Sequence, residues 1–311
     1  MGKGSHGHRA DRRNADILIN IDGRLVPRAE ARVSVFDSGF LLGDGVWEGL
    51  RIHNGQIVFA DAHFDRLFDG ARAIDLDIGL DREALRRRVY ETLAANGMEN
   101  GVHVRLMVTR GIRATPYQDP RVTEGGPTIV IIAEYKEADA RVLKKGITLF
   151  TVHVRRGAPD VQDPELNSHS KLNCITACIQ AAKAGADEAL MLDPHGFVAT
   201  CNSTNFFIVR DGAVRTAREK YLMPGITRAR VIALCRENQI PVIEDDFSLA
   251  RCYAADEAFV TGTFAGLVPV GEIDGRIIGD GNRGPLTGRL QGLYARLVDD
   301  HCPPPGPVDD S

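Results

Sequence analysis

Asn167-Ser-His-Ser-Lys171-Leu-Asn-Cys-Ile175 opens the stretch around which this chain is ordered. An alanine-rich run follows, then Gly185-Ala-Asp-Glu-Ala-Leu-Met-Leu192 and Gly196-Phe-Val-Ala-Thr200-Cys-Asn-Ser-Thr-Asn205-Phe-Phe-Ile-Val209. The first part predicts a helix whose later residues, Ala177, Ile179, Ala181, Ala182 and Ala184, are small or apolar. The last part predicts an Asn/Ser/Thr-rich turn that directs polar groups at something bound, and then a strand, Phe206–Val209. Lys171 stands at the mouth of the helix between His169, Ser170 and Asn173. A packed stem and nearby helix-start N–H groups favour a neutral, nucleophilic amine, which covalent chemistry on a carbonyl requires. A solvated first-turn lysine is the other reading of the same residues.

The 311 residues suffice for two domains and a sizeable core. A net charge of -4 with mixed signs carries no nucleic-acid footprint. No apolar run is long enough to span a bilayer and no signal-peptide core opens the chain, so the expected location is the cytoplasm. Six cysteines are scattered without a zinc-like pairing; Cys174 and Cys178, one helical turn apart, read as buried small hydrophobes in a reducing compartment, and no metal site is expected.

In chain order, residues 1–14 are basic, rich in Gly and His, and expected to be disordered. Hairpins are predicted at Asp22-Gly23 and Asn54-Gly55. Val33–Phe36 reads as a strand and residues 39–49 as a glycine-punctuated loop. Helices fit 61–75 and 82–96; strands fit 102–109 and 128–133. The charged stretch 136–145 is expected to link a domain at 15–135 to another at 146–300, with a Pro-rich tail at 301–311. Strands mixed with helices in both halves give an α/β (α+β) protein of two domains.

Two stretches suit an anion. Gly225-Ile226-Thr227 opens a helix, so its N–H groups and the Thr227 hydroxyl would welcome a phosphate. Thr261-Gly-Thr263 ends a strand and offers a second set of donors. Each alone also reads as a cap or a tight turn. Arg66, on the helix that begins near Ala62, supplies a cation.

Taken in order, Gly43-Asp-Gly-Val-Trp-Glu-Gly-Leu-Arg51, His63-Phe-Asp-Arg-Leu67, Val108-Thr-Arg-Gly111, the Lys171 region, Gly185-Ala-Asp-Glu-Ala189, Ser203-Thr-Asn205, Pro224-Gly-Ile-Thr-Arg228 and Thr261-Gly-Thr263 resemble the class IV aminotransferases. That family includes branched-chain and D-amino-acid aminotransferases and aminodeoxychorismate lyase, all of pyridoxal-phosphate fold type IV. The resemblance covers roughly residues 15–298. It implies a smaller N-terminal α/β domain, a larger cofactor-binding domain, pyridoxal 5'-phosphate as cofactor and a homodimer. It assigns Arg66, Ile226, Thr227 and Thr263 to the cofactor phosphate, places Thr200 and Asn205 at the cofactor, and gives Trp47 and Arg51 to the substrate pocket. Lys171 becomes the Schiff-base lysine and proton shuttle. The partners implied are an amino acid or amine donor and a 2-oxo acid acceptor.

The chain departs from the pattern in three places. Thr200 stands where the family has the glutamate that keeps the cofactor ring nitrogen protonated, and a hydroxyl cannot hold that proton as a carboxylate does. Counting without gaps from Asp187-Glu188 puts Asn167 at the family's lysine position and Lys171 one helical turn on. In the loop Arg110–Tyr117, Thr115 and Tyr117 stand where D-amino-acid aminotransferases carry an Arg and a His, leaving Arg113 for a substrate carboxylate or for solvent. The leading reading is an aminotransferase using Lys171. The alternatives are a lyase of the aminodeoxychorismate type and a non-catalytic descendant that binds an anionic ligand with Asn167 at the lost centre.

Overall fold

The computed structural model describes residues 4–304; residues 1–3 and 305–311, which fall in the two expected tails, lie outside the described residues. The chain gathers into two compact units of mixed α/β structure. Among the described residues, the first takes Ala10–Lys136, Leu166–Lys171 and 298–304; the second takes 4–9, Glu137–Glu165 and Leu172–Leu297.

The first unit runs β1 (Leu18–Ile21), β2 (Arg24–Pro27), α1 (Ser38–Leu42), β3 (Gly45–His53), β4 (Gln56–Ile57), α2 (Ala60–Ala73), α3 (Arg82–Ala95), β5 (Val102–Thr109), the short ribbon β6 (Ile112–Arg113) and β7 (Thr123–Glu124), and β8 (Thr128–Tyr135). Its antiparallel sheet has the order β2-β1-β8-β5-β3-β4. Asp22 and Asn54 take φ of 52° and 49°, each followed by a glycine at positive φ, as a tight two-residue hairpin turn demands. Strict alternation on β5 buries Val102, Val104 and Leu106 on one face, against a core that includes Phe64, Leu67, Leu85 and Val89. Each such side chain contributes roughly 2 kcal/mol of burial.

Three expectations fail. Val33–Phe36 is not a strand: it has no ladder partner, and Val35 is 65% exposed. Within the expected glycine loop, Asp37 accepts from the Gly39 N–H and starts α1, and Gly43 ends it in the left-handed conformation. Residues 4–14 also have structure. Asp11 caps a 3-10 turn at Arg12–Ala15, and Asn14 brackets the Tyr135 backbone through both ends of its carboxamide.

The second unit contains α4 (Val142–Lys145), β9 (Ile147–Thr151), α5 (Pro159–Gln162), α6 (Leu172–Lys183), β10 (Glu188–Leu192), β11 (Val198–Cys201), β12 (Asn205–Arg210), β13 (Ala213–Thr216), α7 (Ile226–Glu237), β14 (Val242–Glu244), α8 (Leu249–Tyr253), β15 (Glu257–Gly262), β16 (Gly266–Ile273) and β17 (Arg276–Ile277). The long helix α9 (Pro285–His301) follows, its first turn capped by Glu257, which accepts from the Leu286 and Thr287 N–H groups. The sheet order is β11-β10-β9-β16-β15-β12-β13-β14, with β17 on β16 and a mixture of parallel and antiparallel pairs. β10 is buried along its whole length, which is why Ala189–Leu192 reads as a continuous apolar run rather than an alternating one, with the buried Glu188 at its start. The stretch expected as a linker contributes α4 to this unit, and residues 166–171 belong to the first unit although their chain neighbours belong to the second. No helix of the described residues is long and apolar enough to cross a membrane.

Candidate functional site

In the first unit, residues 167–169 attach to the N-terminal half of β3. Trp47 N–H donates to Asn167 O at 3.0 Å, His169 N–H donates to Gly45 O at 2.9 Å, and Ser168 bridges Val46 antiparallel. Side chains fasten the same segment. Asn167 Nδ2 donates to Trp47 O at 2.6 Å, Trp47 Nε1 to Ser168 O at 3.0 Å, and Ser170 Oγ to Gly43 O at 3.2 Å. Asn167 is buried, and its Oδ1 has no partner. Burial lowers the His169 pKa, so the ring is neutral; its Nε2 sits 3.1 Å from Val46 O, a contact that the protonated nitrogen of the neutral ring makes as donor.

Trp47, Gly49 and Arg51 share one face of β3, opposite Met107, Arg105 and His103 of β5. On that face the Trp47 indole has the Arg105 guanidinium 3.6 Å from its centroid and Lys171 Nζ 5.6 Å from it. Arg105 is half-buried and has no carboxylate partner among the described residues, nor has Arg51. Burial pulls the Arg105 guanidinium below its usual range, and only the field of Glu48 opposes it. The arrangement is a cationic lane beside an aromatic plate, suited to a carboxylate or phosphate. Arg105 was not singled out by the sequence reading; the alternation Val102-His-Val-Arg105 placed it on the Trp47 face, but only strand pairing shows that the two meet.

Glu48 points to the other face, fully buried. It accepts from Arg66 Nε and Nη2, both at 2.8 Å, and lies 2.7 Å from His63 Nδ1. Burial alone would push its carboxyl up; Arg66 and then His63 more than offset this, and the net shift is downward. Arg66 is thus held by a bidentate fork on the side of β3 away from Trp47.

The loop after β5 spends Arg113 internally. Its Nη1 donates to Tyr117 O and Asp119 O, and its Nη2 to Asp44, which Arg110 also grips. The buried Arg113 side chain therefore shapes the loop rather than lying in solvent, and Tyr117 is 57% exposed.

In the second unit, Asn205 pairs with Thr261 across β12 and β15, which brings the start of one strand and the end of the other together. Gly225 caps α7 without a side-chain hydrogen bond, and a Cβ there would strike the Asn205 carboxamide, so only glycine fits. The first-turn N–H groups at Ile226 and Thr227 have no acceptor within the helix. Thr261 Oγ1 is buried without a partner among the described residues, a further donor beside Thr263 in the stretch that the sequence offers as a second donor set. Thr200 Oγ1 donates to Thr204 O at 2.7 Å, and Asn205 Nδ2 reaches Met223 O at 3.1 Å and Thr200 Oγ1 at 3.4 Å. Thr200, Asn205, Ile226, Thr227 and Thr263 thus belong to one unit, with donors left over for an anion; Lys171, Arg66, Trp47, Arg51, Arg113 and Tyr117 belong to the other.

Residues 45–273 match the family described as amino-transferase class IV. Branched-chain-amino-acid aminotransferase-like protein 1 of Arabidopsis thaliana is 40% identical over 287 residues, which make up 92% of this chain and 52% of that protein. The chain thus spans about half the length of that relative. A putative branched-chain-amino-acid aminotransferase of Methanocaldococcus jannaschii is 42% identical over 274 residues, 88% of this chain and 93% of that one. The crystal structure of a branched-chain amino acid aminotransferase from T.th. with pyridoxamine 5'-phosphate superposes with a TM-score of 0.86 at 30% identity, covering 93% of this chain and 96% of that chain.

Proposed function

Because the chain belongs to the class IV aminotransferase family, we propose that it is a pyridoxal-5'-phosphate-dependent aminotransferase that moves an amino group between an amino acid or amine and a 2-oxo acid. The observation that carries this reading is the donor set around α7. Unclaimed helix-start N–H groups, the Thr227 and Thr263 hydroxyls and the orphaned Thr261 hydroxyl fit a phosphate, and Gly225 lets the Asn205 carboxamide lie against the helix start. The family resemblance assigns Arg66 to the phosphate as well, and the fork on Glu48 fixes the orientation of its guanidinium. When bound, the cofactor ring supplies the electron sink for chemistry at the substrate α-carbon.

Lys171 is the amine we assign to cofactor attachment and to moving the proton at that carbon. Its support is that the backbone on either side is fixed: Ser168 to Ser170 are tied to α1 and β3, and Leu172 begins α6. Asn167, with its donor spent on Trp47 O, anchors this segment. Thr200 is the residue beside the ring nitrogen. Its proton is given to Thr204 O, which leaves an acceptor and no fixed charge there. The substrate carboxylate is assigned to Arg105 and Arg51 on the Trp47 face, and Arg113 and Tyr117 to the loop that shapes the entrance.

The protein is read as cytoplasmic, in keeping with six free cysteines, and as a homodimer. The exposed apolar row Leu172, Ile175 and Ile179 on α6 is the surface this reading would cover. The test is transfer of labelled nitrogen from an amino acid to a 2-oxo acid by the holoprotein. Transfer that is lost in Lys171→Ala supports the assignment. Ammonia release with no demand for a 2-oxo acid acceptor would contradict it.

A further inference from the structure

Glu188, 3% exposed, carries a carboxylate that is paired with no Lys, Arg or His among the described residues. A carboxyl group in such a place depends on its hydrogen-bond partners. Its donors come from two places. Thr204 Oγ1 reaches Oε2 at 2.8 Å with Ser203 Oγ at 3.5 Å, and Ser5 gives Oε1 both its backbone N–H, at 3.0 Å, and its hydroxyl. Ser5 lies 183 residues before Glu188 in the chain, on the segment Gly4–Arg9.

That segment is built to lie there. Gly4 has φ +85° and its Cα faces Asp187 O, where an added Cβ would come within 3.1 Å. Gly7 N–H closes a turn onto Gly4 O, and Gly7 O accepts from Asp139 N–H. The His6 ring stacks on Phe264 at 5.7 Å with an interplanar angle of 9°, and His8 meets the same ring edge-on at 6.3 Å. One segment thereby reaches two of the three segments of the second unit that carry the assigned cofactor donors, the third being the start of α7. Through Glu188 it holds Thr204, whose carbonyl takes the Thr200 proton and whose neighbour Asn205 abuts Gly225. Through Phe264 it holds the residue after Thr263.

We infer that Gly4–Arg9 is a positioning strap, with Ser5 and Glu188 as positioning residues that keep the 200–205 turn and the 261–264 loop in the arrangement that receives the cofactor phosphate and ring. The strap acts through the loops and does not touch the cofactor. The inference rests on the assignment of those loops to the cofactor, but the strap's mechanical role is measurable without it.

The experiment is hydrogen exchange on the full chain and on Ser5→Ala, Ser5→Thr and the double variant Ser5→Ala/His6→Ala, with and without added pyridoxal phosphate, alongside equilibrium dialysis of that cofactor. Ser5→Ala removes one donor to a buried carboxylate, so amides of Cys201 and Asn202, bonded to Thr204 O and Ala189 O, should exchange about tenfold faster in the absence of cofactor. The dissociation constant should rise about three- to tenfold, further in the double variant, and Ser5→Thr should restore both. Unchanged exchange at 198–206 in the double variant overturns the strap, as does a uniform rise across both units. Faster local exchange in a chain whose parent binds no pyridoxal phosphate upholds the strap and removes the cofactor reading instead.

Discussion

Asn167 and Trp47 are joined twice: Trp47 N–H donates to Asn167 O at 3.0 Å, and Asn167 Nδ2 donates to Trp47 O at 2.6 Å. The second bond fixes which way the carboxamide faces, because a carbonyl can only accept. Oδ1 must then point away from Trp47 O, and it is buried without a partner. Asn167 therefore works as an anchor. It fastens the segment that leads to Lys171 onto β3 and holds the indole against which Lys171 and Arg105 stand.

Asn167→Asp keeps the shape but replaces the donor with a second acceptor facing Trp47 O. Losing that bond and burying an uncompensated charge should cost about 2–4 kcal/mol. Asn167→Ala should cost about 1–2 kcal/mol. Denaturant melts check both; equal and negligible losses would mean that the carboxamide holds nothing.

Arg66→Ala strips the bidentate partner from the fully buried Glu48 and leaves only His63 beside it. Breaking a buried pair from one side costs about 3–5 kcal/mol. The loss should shrink in Arg66→Ala/Glu48→Gln, where no unpaired carboxylate remains. A double variant no more stable than the single one would contradict this account of Glu48.

His169 gives a pH dependence of definite sign. Burial lowers its folded pKa, so the unfolded chain binds a proton that the folded chain refuses. The stability this confers is fully present above the unfolded histidine pKa of about 6.5 and is lost as pH falls through the folded value. A melting-temperature profile from pH 8 to 5 should decline below about 6.5, and His169→Gln, which cannot take up a proton, should flatten that part of the decline. An identical profile in the variant would sink the assignment.

Arg105→Gln removes a guanidinium that has the indole beside it and, among the described residues, no carboxylate in an ion pair with it. The protein should lose little stability, since the charge is held against burial. A substrate carboxylate held by a charge-assisted bond worth about 1.5–3 kcal/mol would be bound ten- to hundredfold more weakly. KM for a 2-oxo acid should rise accordingly, with a smaller effect on kcat. An unchanged KM would move the carboxylate to Arg51 or elsewhere.

Features set by short-range chemistry were legible in the sequence. The hairpins at Asp22-Gly23 and Asn54-Gly55 need only neighbouring residues to be understood, and so does the start of α7 at Ile226, although the glycine before it is required by Asn205. Features made by long-range pairing were not. Val33–Phe36 has strand-like composition, yet only its last residue meets a strand, through the bond from Arg113 N–H to Phe36 O, and the Asp37 cap turns the chain into a helix one residue later. Residues 4–14 look like a polar tail until Glu188 is seen to need Ser5, and Tyr135 to need Asn14. Arg113 reads as a loop cation because Asp44, which neutralises it, lies 69 residues away. The missed Arg105 has the same origin: its value comes from Trp47, on another strand.

The central claim is that Lys171 carries the cofactor while Asn167 anchors the segment. The most direct measurement is borohydride reduction of the protein with pyridoxal phosphate bound, followed by peptide mapping. The account predicts a visible absorbance band before reduction and a single pyridoxyl-modified peptide containing Lys171, absent in Lys171→Ala. Label on Lys183 or another lysine, or no band and no label on a chain that still binds the cofactor, would contradict it.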